Sequence, residues 1–146
     1  MAHDLLAYAG QVAARPTSAY LPFDLRIRPG TPPRDVLQVV VACGGLLSSA
    51  LTTATPESRA WHFGPCDPTA FAAMGVAETL LHTYDITQGL GIPWFLPERL
   101  CAAALNRLKP DAPAGDPARV LLWCTGRGGL DGRSPVTAWV WDPAIR

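Results

Sequence analysis

The prolines determine where helices can form in this chain. Proline lacks a backbone N–H and its ring clashes with the preceding turn, so a helix tolerates it only in the first turn. The sequence of 146 residues contains 15 prolines, and those at positions 16, 22, 29, 32 and 33 exclude a helix from the connection over residues 15–33. The segments that remain predict a chain of helices joined by irregular connections.

Hydrophobic periodicity and capping residues predict the limits of five helices. Apolar residues recur every three to four positions over residues 2–14, and Asp67 and Asp116 each precede a proline that suits a first helical position. The predicted helices cover residues 2–14, from Thr31 or Pro32 to about Thr53, 68–88, 97–108 and 117–125. The fold class is therefore mainly α, most simply an up-down helical bundle with a Pro-rich crossover after the first helix.

The connections carry weaker signals. Residues 54–67 are predicted to form a loop, and residues 23–28 alternate in a way that allows a short extended piece. Near the end of the chain, Val136, Ala138 and Val140 alternate with larger or polar residues, which predicts a short extended, strand-like C-terminal segment. A chain of this length predicts a single domain.

Composition and charge exclude several classes of function. The 12 basic and 12 acidic residues leave no net charge and no basic stripe, so we expect neither a nucleic-acid partner nor a membrane partner. The longest apolar run, residues 36–51, is interrupted by glycines and serines and predicts a buried helix that another helix approaches closely. The first residues lack a basic start, and no CxxC pair is present, which predicts a cytoplasmic protein with reduced, mostly buried thiols.

Glu78 and His82 lie four residues apart on the third predicted helix, which allows two interpretations. They could form an ordinary helical side-chain pair that contributes a few tenths of a kcal/mol. Alternatively, their tips could converge on one metal ion, with Asp85 accepting the other ring N–H of His82. Spacing alone leaves both interpretations open.

Three further residues have alternative roles. His62 could contact a substrate or a metal at the mouth of a pocket, or it could be a loop histidine held by aromatic packing. Arg127 could bind a substrate carboxylate through two hydrogen bonds, or it could lie in a solvated loop. Cys66 could be a reactive thiol if exposed and an inert one if buried.

The third predicted helix also resembles a known family. Residues 72–94, AAMGVAETLLHTYDITQGLGIPW, resemble the metal-binding helix of the DinB-like four-helix-bundle superfamily, and in particular its branch of mycothiol-dependent maleylpyruvate isomerases. The branch has Glu, three residues, His, Thr, any residue, Asp and an aliphatic residue. Glu78, His82, Thr83, Asp85 and Ile86 stand at these positions.

The resemblance implies a metal-dependent activity. A divalent metal, most often zinc, would be held by Glu78, His82 and a histidine from an earlier helix, and nickel, manganese or iron would also suit such ligands. Mycothiol or another small thiol would bind at the open position as a thiolate and react with a small electrophilic substrate. The implied class is an isomerase or transferase.

The chain departs from the family pattern at its start. The first predicted helix corresponds to the family's second helix, so the first helix is expected to be missing, through a misassigned start or natural shortening. The expected histidine then falls either before Met1 or at Tyr8, which makes Tyr8 a predicted pocket residue. His3 is the predicted substitute ligand and Asp4 the second choice. A homodimer could cover the exposed apolar face.

Two hypotheses for function follow. The first is a metal-binding enzyme that depends on a low-molecular-weight thiol. The second is a non-catalytic DinB-like bundle that acts as a dimerising binding or interaction module.

Overall fold

The computed structural model describes residues 1–145 and is mainly helical. Its described part contains five helices and one two-stranded sheet. Their limits are α1 (Ala2–Ala14), α2 (Pro33–Thr53), β1 (Ala60–Trp61), β2 (Pro65–Cys66), α3 (Pro68–Gly89), α4 (Glu98–Leu108) and α5 (Pro117–Cys124). The mainly α class and the five helices predicted from the sequence are confirmed, with limits within about two residues of those predicted.

Local chemistry explains the helix ends. The carboxylate of Asp67 accepts a hydrogen bond from the Ala70 N–H at 2.8 Å, and that of Asp116 accepts one from the Arg119 N–H at 2.8 Å. Both bonds satisfy N–H groups that the first helical turn leaves without a partner. At the end of α1, Arg15 adopts a left-handed conformation with φ 53°, just before Pro16 prevents the helix from continuing.

The extended segments differ from the prediction. The predicted loop before α3 contains a small antiparallel hairpin, in which Ala60 pairs with Cys66 and Trp61 with Pro65. The His62 N–H donates to the Gly64 carbonyl at 2.8 Å, which closes the turn. Neither residues 23–28 nor residues 134–145 form a strand, because no described segment pairs with them along a ladder.

The described chain forms two compact units, and their boundary falls within α3, between Glu78 and Thr79. The first unit contains α1, α2, the hairpin and the first half of α3, together with residues 143–145. Helices α1 and α2 pack along each other. Gly75 of α3 lies against Leu47 and Leu5, which are both buried, so its missing side chain permits a close approach of the helices.

The second unit consists of residues 79–142, in which α4 packs against α5. The irregular segment after α5 is tied to this helix pair by backbone and side-chain hydrogen bonds. Trp123 Nε1 donates to the Ser134 carbonyl at 3.0 Å, and the Asp142 N–H donates to the Leu108 carbonyl at 3.0 Å. The predicted C-terminal extension is thus held without a strand partner among the described residues.

Helix α2 is not the buried helix that the sequence predicts. Only Cys43 and Leu47 are fully buried, whereas Val41 is 75% exposed. No other described residue approaches the positions that a Cβ on Gly44 or Gly45 would occupy, so these glycines do not admit a neighbouring helix. The uncharged composition of α2 predicted that the whole helix would be buried. Tertiary packing, however, covers only one of its faces.

By length and composition, α2 is also the one described helix that could cross a membrane. Its most apolar stretch has a mean hydropathy of 1.7, and 11% of that stretch is buried. Core helices and N-terminal signal sequences meet the same criterion, so this finding is weak evidence for a membrane span.

The four cysteines are buried and free, as predicted. Burial raises the pKa of the Cys43 and Cys124 thiols and that of Cys101 to about 11. Cys66 is almost completely buried, and its thiol lies 3.5 Å from the His62 carbonyl. Inert rather than reactive thiols are expected from such surroundings.

Candidate functional site

Glu78 and His82 lie one turn apart on α3, and both side chains are partly buried. A carboxylate oxygen of Glu78 and a ring nitrogen of His82 lie within 4.8 Å of each other. Since α3 is one continuous helix, this proximity depends only on the local helical geometry. The pair can therefore offer two ligand atoms to one ion.

Helix α1 brings a second carboxylate to Glu78. A ligand oxygen of Asp4 lies within 4.8 Å of one from Glu78, and both residues belong to the first unit. The amino group of Met1 lies 2.6 Å from Asp4 Oδ2 and offsets part of its charge. Two carboxylates this close to each other repel, and a cation between them would relieve the repulsion.

His3 has a different environment from its neighbour Asp4. Its Nδ1 accepts a hydrogen bond from the Leu25 N–H at 3.2 Å, in the connection that follows α1. Successive residues on a helix point about 100° apart, so only one of the two can face α3. Among the described residues, the structure therefore brings the second-choice ligand, Asp4, to Glu78 and does not bring His3 there.

Asp85 is held by Arg127 within the second unit. Arg127 Nε and Nη2 each donate to one oxygen of the Asp85 carboxylate at 2.9 Å, which makes a bidentate ion pair. His82 Nδ1 lies 4.0 Å from Asp85 Oδ2, too far for a hydrogen bond. Asp85, the predicted partner of His82, thus binds Arg127, the arginine that was predicted to bind a substrate carboxylate.

A cleft of about 620 Å³ opens beside α1 in the first unit. We call it the α1 cleft. Its walls are one side of α1, the connection after it and the turn of the hairpin. The lining residues are His3, Asp4, Ala7, Tyr8, Gln11, Tyr20, Leu21, Pro22, Phe23, Asp24, His62 and Phe63. Two predicted pocket residues, Tyr8 and His62, line this cleft; Arg127 belongs to the other unit and does not.

His62 lines the cleft and is also held by aromatic packing. Its ring is packed edge-on against Tyr8, Tyr20, Phe63 and Phe71, with centroids 5.0–6.3 Å away. The Tyr20 hydroxyl and His62 Nδ1 share a hydrogen bond of 2.9 Å. Burial lowers the pKa of His62, so the neutral imidazole is favoured.

Tyr8 brings a hydroxyl to the same cleft. The residue is 6% exposed, and its hydroxyl makes no hydrogen bond to any described residue. Burial, followed by the negative charges of Glu78 and Asp4, raises its pKa, which keeps the phenol protonated. A protonated, unengaged hydroxyl can donate a hydrogen bond to a bound molecule.

Gln11 is the residue that sequence reasoning missed. It is 1% exposed; its Nε2 donates to the Trp61 carbonyl at 2.7 Å, and its Oε1 accepts from the Leu21 N–H at 3.0 Å. These bonds connect α1 to the hairpin and to the following connection, so Gln11 holds two walls of the cleft. A signal was present, because Gln11 lies three residues after Tyr8, on the buried side of the predicted helix.

Acidification should destabilise the protein through His62. The folded state lowers the pKa of His62, so the unfolded chain binds a proton first as the pH falls through about 6.5. The free energy of unfolding, measured in urea between pH 7.5 and 5.5, should therefore decrease, and His62→Gln should reduce that decrease. Tyr20→Phe leaves the imidazole buried and should preserve it. An equal pH dependence in His62→Gln and the unmodified protein would contradict this assignment.

Comparison with known proteins identified no relative of this chain. No protein-family model, no curated protein and no solved structure matches the chain.

Proposed function

We propose that this protein is a DinB-like helical protein that binds one divalent metal through Asp4, Glu78 and His82. The observation that carries the proposal is the convergence on Glu78: Asp4 approaches it within the first unit, and His82 approaches it along α3. The family motif at Glu78, His82, Thr83 and Asp85 supports the same ligands. Asp4 replaces His3 in the proposed set because His3 bonds to Leu25 instead.

The donor atoms suit the proposed metals. Two carboxylates and one imidazole can hold zinc, manganese, iron or nickel, and zinc is the metal that the family resemblance favours. Three protein ligands leave a position for a small molecule. A divalent metal bound there would lower the pKa of a coordinated thiol or water.

We infer an isomerase or transferase activity that uses a low-molecular-weight thiol such as mycothiol and a small electrophilic substrate. The contribution of the chain itself would come from the α1 cleft. The Tyr8 hydroxyl can donate a hydrogen bond to a developing negative charge, and the neutral His62 can accept a proton. Gln11 holds the surrounding walls in place. We propose a cytoplasmic location, with neither nucleic acid nor membrane as partner.

Titration of chelator-treated protein with zinc and manganese by calorimetry tests the metal proposal. One equivalent of metal per chain should bind, and the metal should survive gel filtration. Calcium is the matched control, because an imidazole ligand does not suit this hard cation. Failure of both zinc and manganese to bind stoichiometrically would refute the proposal.

The alternative function is a non-catalytic, dimerising interaction module, and the exposure of α2 favours it. Leu37 and Val41, which lie one turn apart on the same side of α2, expose more than half of their surface. No charged residue occurs between Val36 and Thr53, so a second copy of α2 meets no like charge there. This face suits an interface between two copies of the chain.

A charge on this face should prevent dimerisation. Light scattering during gel filtration should give a dimer mass for the unmodified protein and a monomer mass for Val41→Asp, because an unpaired carboxylate is costly to bury. Thr53→Asp, at the exposed end of the helix, is the control and should remain dimeric. A monomeric unmodified protein would exclude the dimeric module and leave the metal proposal intact.

A further inference from the structure

The α1 cleft has a chemical character that the proposed metal chemistry does not explain. Four aromatic side chains line it: Tyr8, Tyr20, Phe23 and Phe63. Two carboxylates, Asp4 and Asp24, also line it, whereas no lysine or arginine does. Its volume of about 620 Å³ lies within the range of small-molecule sites. Such a lining disfavours an anion and favours a ligand with positive charge.

The two carboxylates are not equivalent. Asp4 is paired with the Met1 amino group at 2.6 Å and approaches Glu78. Asp24 is exposed at the edge of the cleft and makes no ion pair with a described residue. Asp24 is therefore the carboxylate that a cationic ligand would meet first. The histidine that faces the cleft from the hairpin, His62, is buried and does not add an opposing charge while it is neutral.

Phe63 is the most exposed aromatic residue that lines the cleft. Phe63 is 82% exposed, although its ring packs edge-on against Tyr20 with centroids 5.7 Å apart. Its backbone has a positive φ of 55°, which is uncommon for a bulky residue and is often found at functional sites. The faces of these rings carry negative electrostatic potential and attract cations.

The Tyr8 hydroxyl is a polar group that a ligand in the cleft could bind. The Tyr8 hydroxyl has no hydrogen-bond partner among the described residues, although Tyr8 is only 6% exposed and lines the cleft. A ligand with a hydroxyl or carbonyl oxygen next to its cationic group would satisfy Tyr8.

We propose that the α1 cleft binds a small organic cation, an amine or quaternary ammonium compound that carries an oxygen function. The aromatic rings would surround the cationic group, Asp24 would balance its charge, and Tyr8 would bond its oxygen. The cleft is held by Gln11, so it exists before the ligand arrives. This binding does not depend on the proposed metal.

Three compounds of nearly equal shape test the proposal: choline, the neutral 3,3-dimethylbutan-1-ol and the anionic 3,3-dimethylbutanoate. Their affinities for full-length, chelator-treated protein can be measured by NMR titration. Choline should bind about fivefold to tenfold more tightly than the neutral alcohol, and the carboxylate most weakly. Saturable choline binding that is no tighter than binding of the alcohol, or no choline binding at all, would overturn the proposal.

Matched substitutions locate the binding. Asp24→Asn and Phe63→Leu should each weaken choline binding about threefold to tenfold, and both change exposed side chains. Glu57→Gln and Phe95→Leu are exposed, lie outside the cleft and should bind choline normally. Unchanged choline binding in both Asp24→Asn and Phe63→Leu would place the cation elsewhere and refute the proposal.

The metal and the organic cation can be tested separately. Glu78→Gln should abolish the proposed metal site, but Glu78 does not line the cleft, so choline should still bind. Addition of zinc to the unmodified protein should weaken choline binding, because a metal held by Asp4 adds positive charge beside the cleft. If the unmodified protein binds choline but no zinc, only the metal proposal is refuted; if it binds zinc but no choline, only the organic-cation proposal is refuted.

Discussion

Replacement of Glu78 by glutamine should abolish stoichiometric binding of a divalent metal. Asp4 approaches Glu78 within the first unit, and His82 follows Glu78 by one turn of the continuous helix α3, so the proposed site depends on Glu78. Glutamine keeps the shape of the side chain but loses the negative charge that a divalent metal requires. Elemental analysis of purified protein should show about one metal per chain in the unmodified protein and almost none in Glu78→Gln.

His82→Ala should have the same effect, because it removes the imidazole ligand one turn away. A metal that remains stoichiometric in both variants would refute the site. Circular dichroism should show native helix content in both, since both side chains are only partly buried. Glu57→Gln changes an exposed carboxylate away from the site and is the control for altered charge.

Two further variants identify the third ligand. Asp4→Asn should lower metal affinity by about one to two orders of magnitude, whereas His3→Ala should leave it nearly unchanged. The difference is expected because Asp4 approaches Glu78, whereas His3 bonds to Leu25. The opposite pattern would restore His3 as the ligand that the sequence predicts.

Replacement of Gln11 by alanine should cause a large loss of stability, about 2 to 4 kcal/mol in the free energy of unfolding. The substitution leaves the Trp61 carbonyl and the Leu21 N–H without their side-chain partner. It also removes a nearly completely buried side chain and leaves a cavity. Urea unfolding followed by circular dichroism measures the change.

Gln88→Ala is the matched control, because Gln88 is exposed near the end of α3. It should change stability by less than about 0.5 kcal/mol. If Gln11→Ala were no more destabilising than Gln88→Ala, the hydrogen bonds of Gln11 would not hold the hairpin and the connection in place. Gln11→Ala should also weaken choline binding if it folds at low temperature, since it releases the cleft walls.

The helices could be predicted closely because their ends depend on neighbouring residues. Asp67 and Asp116 each cap a helix through an N–H three residues later, and proline blocks helix formation locally. The small hairpin at Ala60–Cys66 was not predicted, because its pairing depends on a two-residue register and on a turn with Phe63 at positive φ. The C-terminal segment was predicted to be extended and strand-like, but alternation alone does not supply a strand partner.

The candidate site could be predicted only in part. The proximity of Glu78 and His82 follows from helical spacing. Burial of α2 was predicted from its composition and was wrong, because composition does not tell which face of a helix is covered. Gln11 was overlooked because a lone glutamine in a helix has no distinctive motif, although its position among apolar residues marked it as buried.

The sequence by itself determined the helix limits and the proximity of Glu78 to His82, because these depend on covalent chemistry and on contacts within one or two turns. Tertiary structure decided that Asp4 rather than His3 approaches Glu78, that Arg127 binds Asp85, and that aromatic residues surround a cleft beside α1. These contacts join residues far apart in sequence. They depend on which helix faces pack together, and local propensity does not encode that choice.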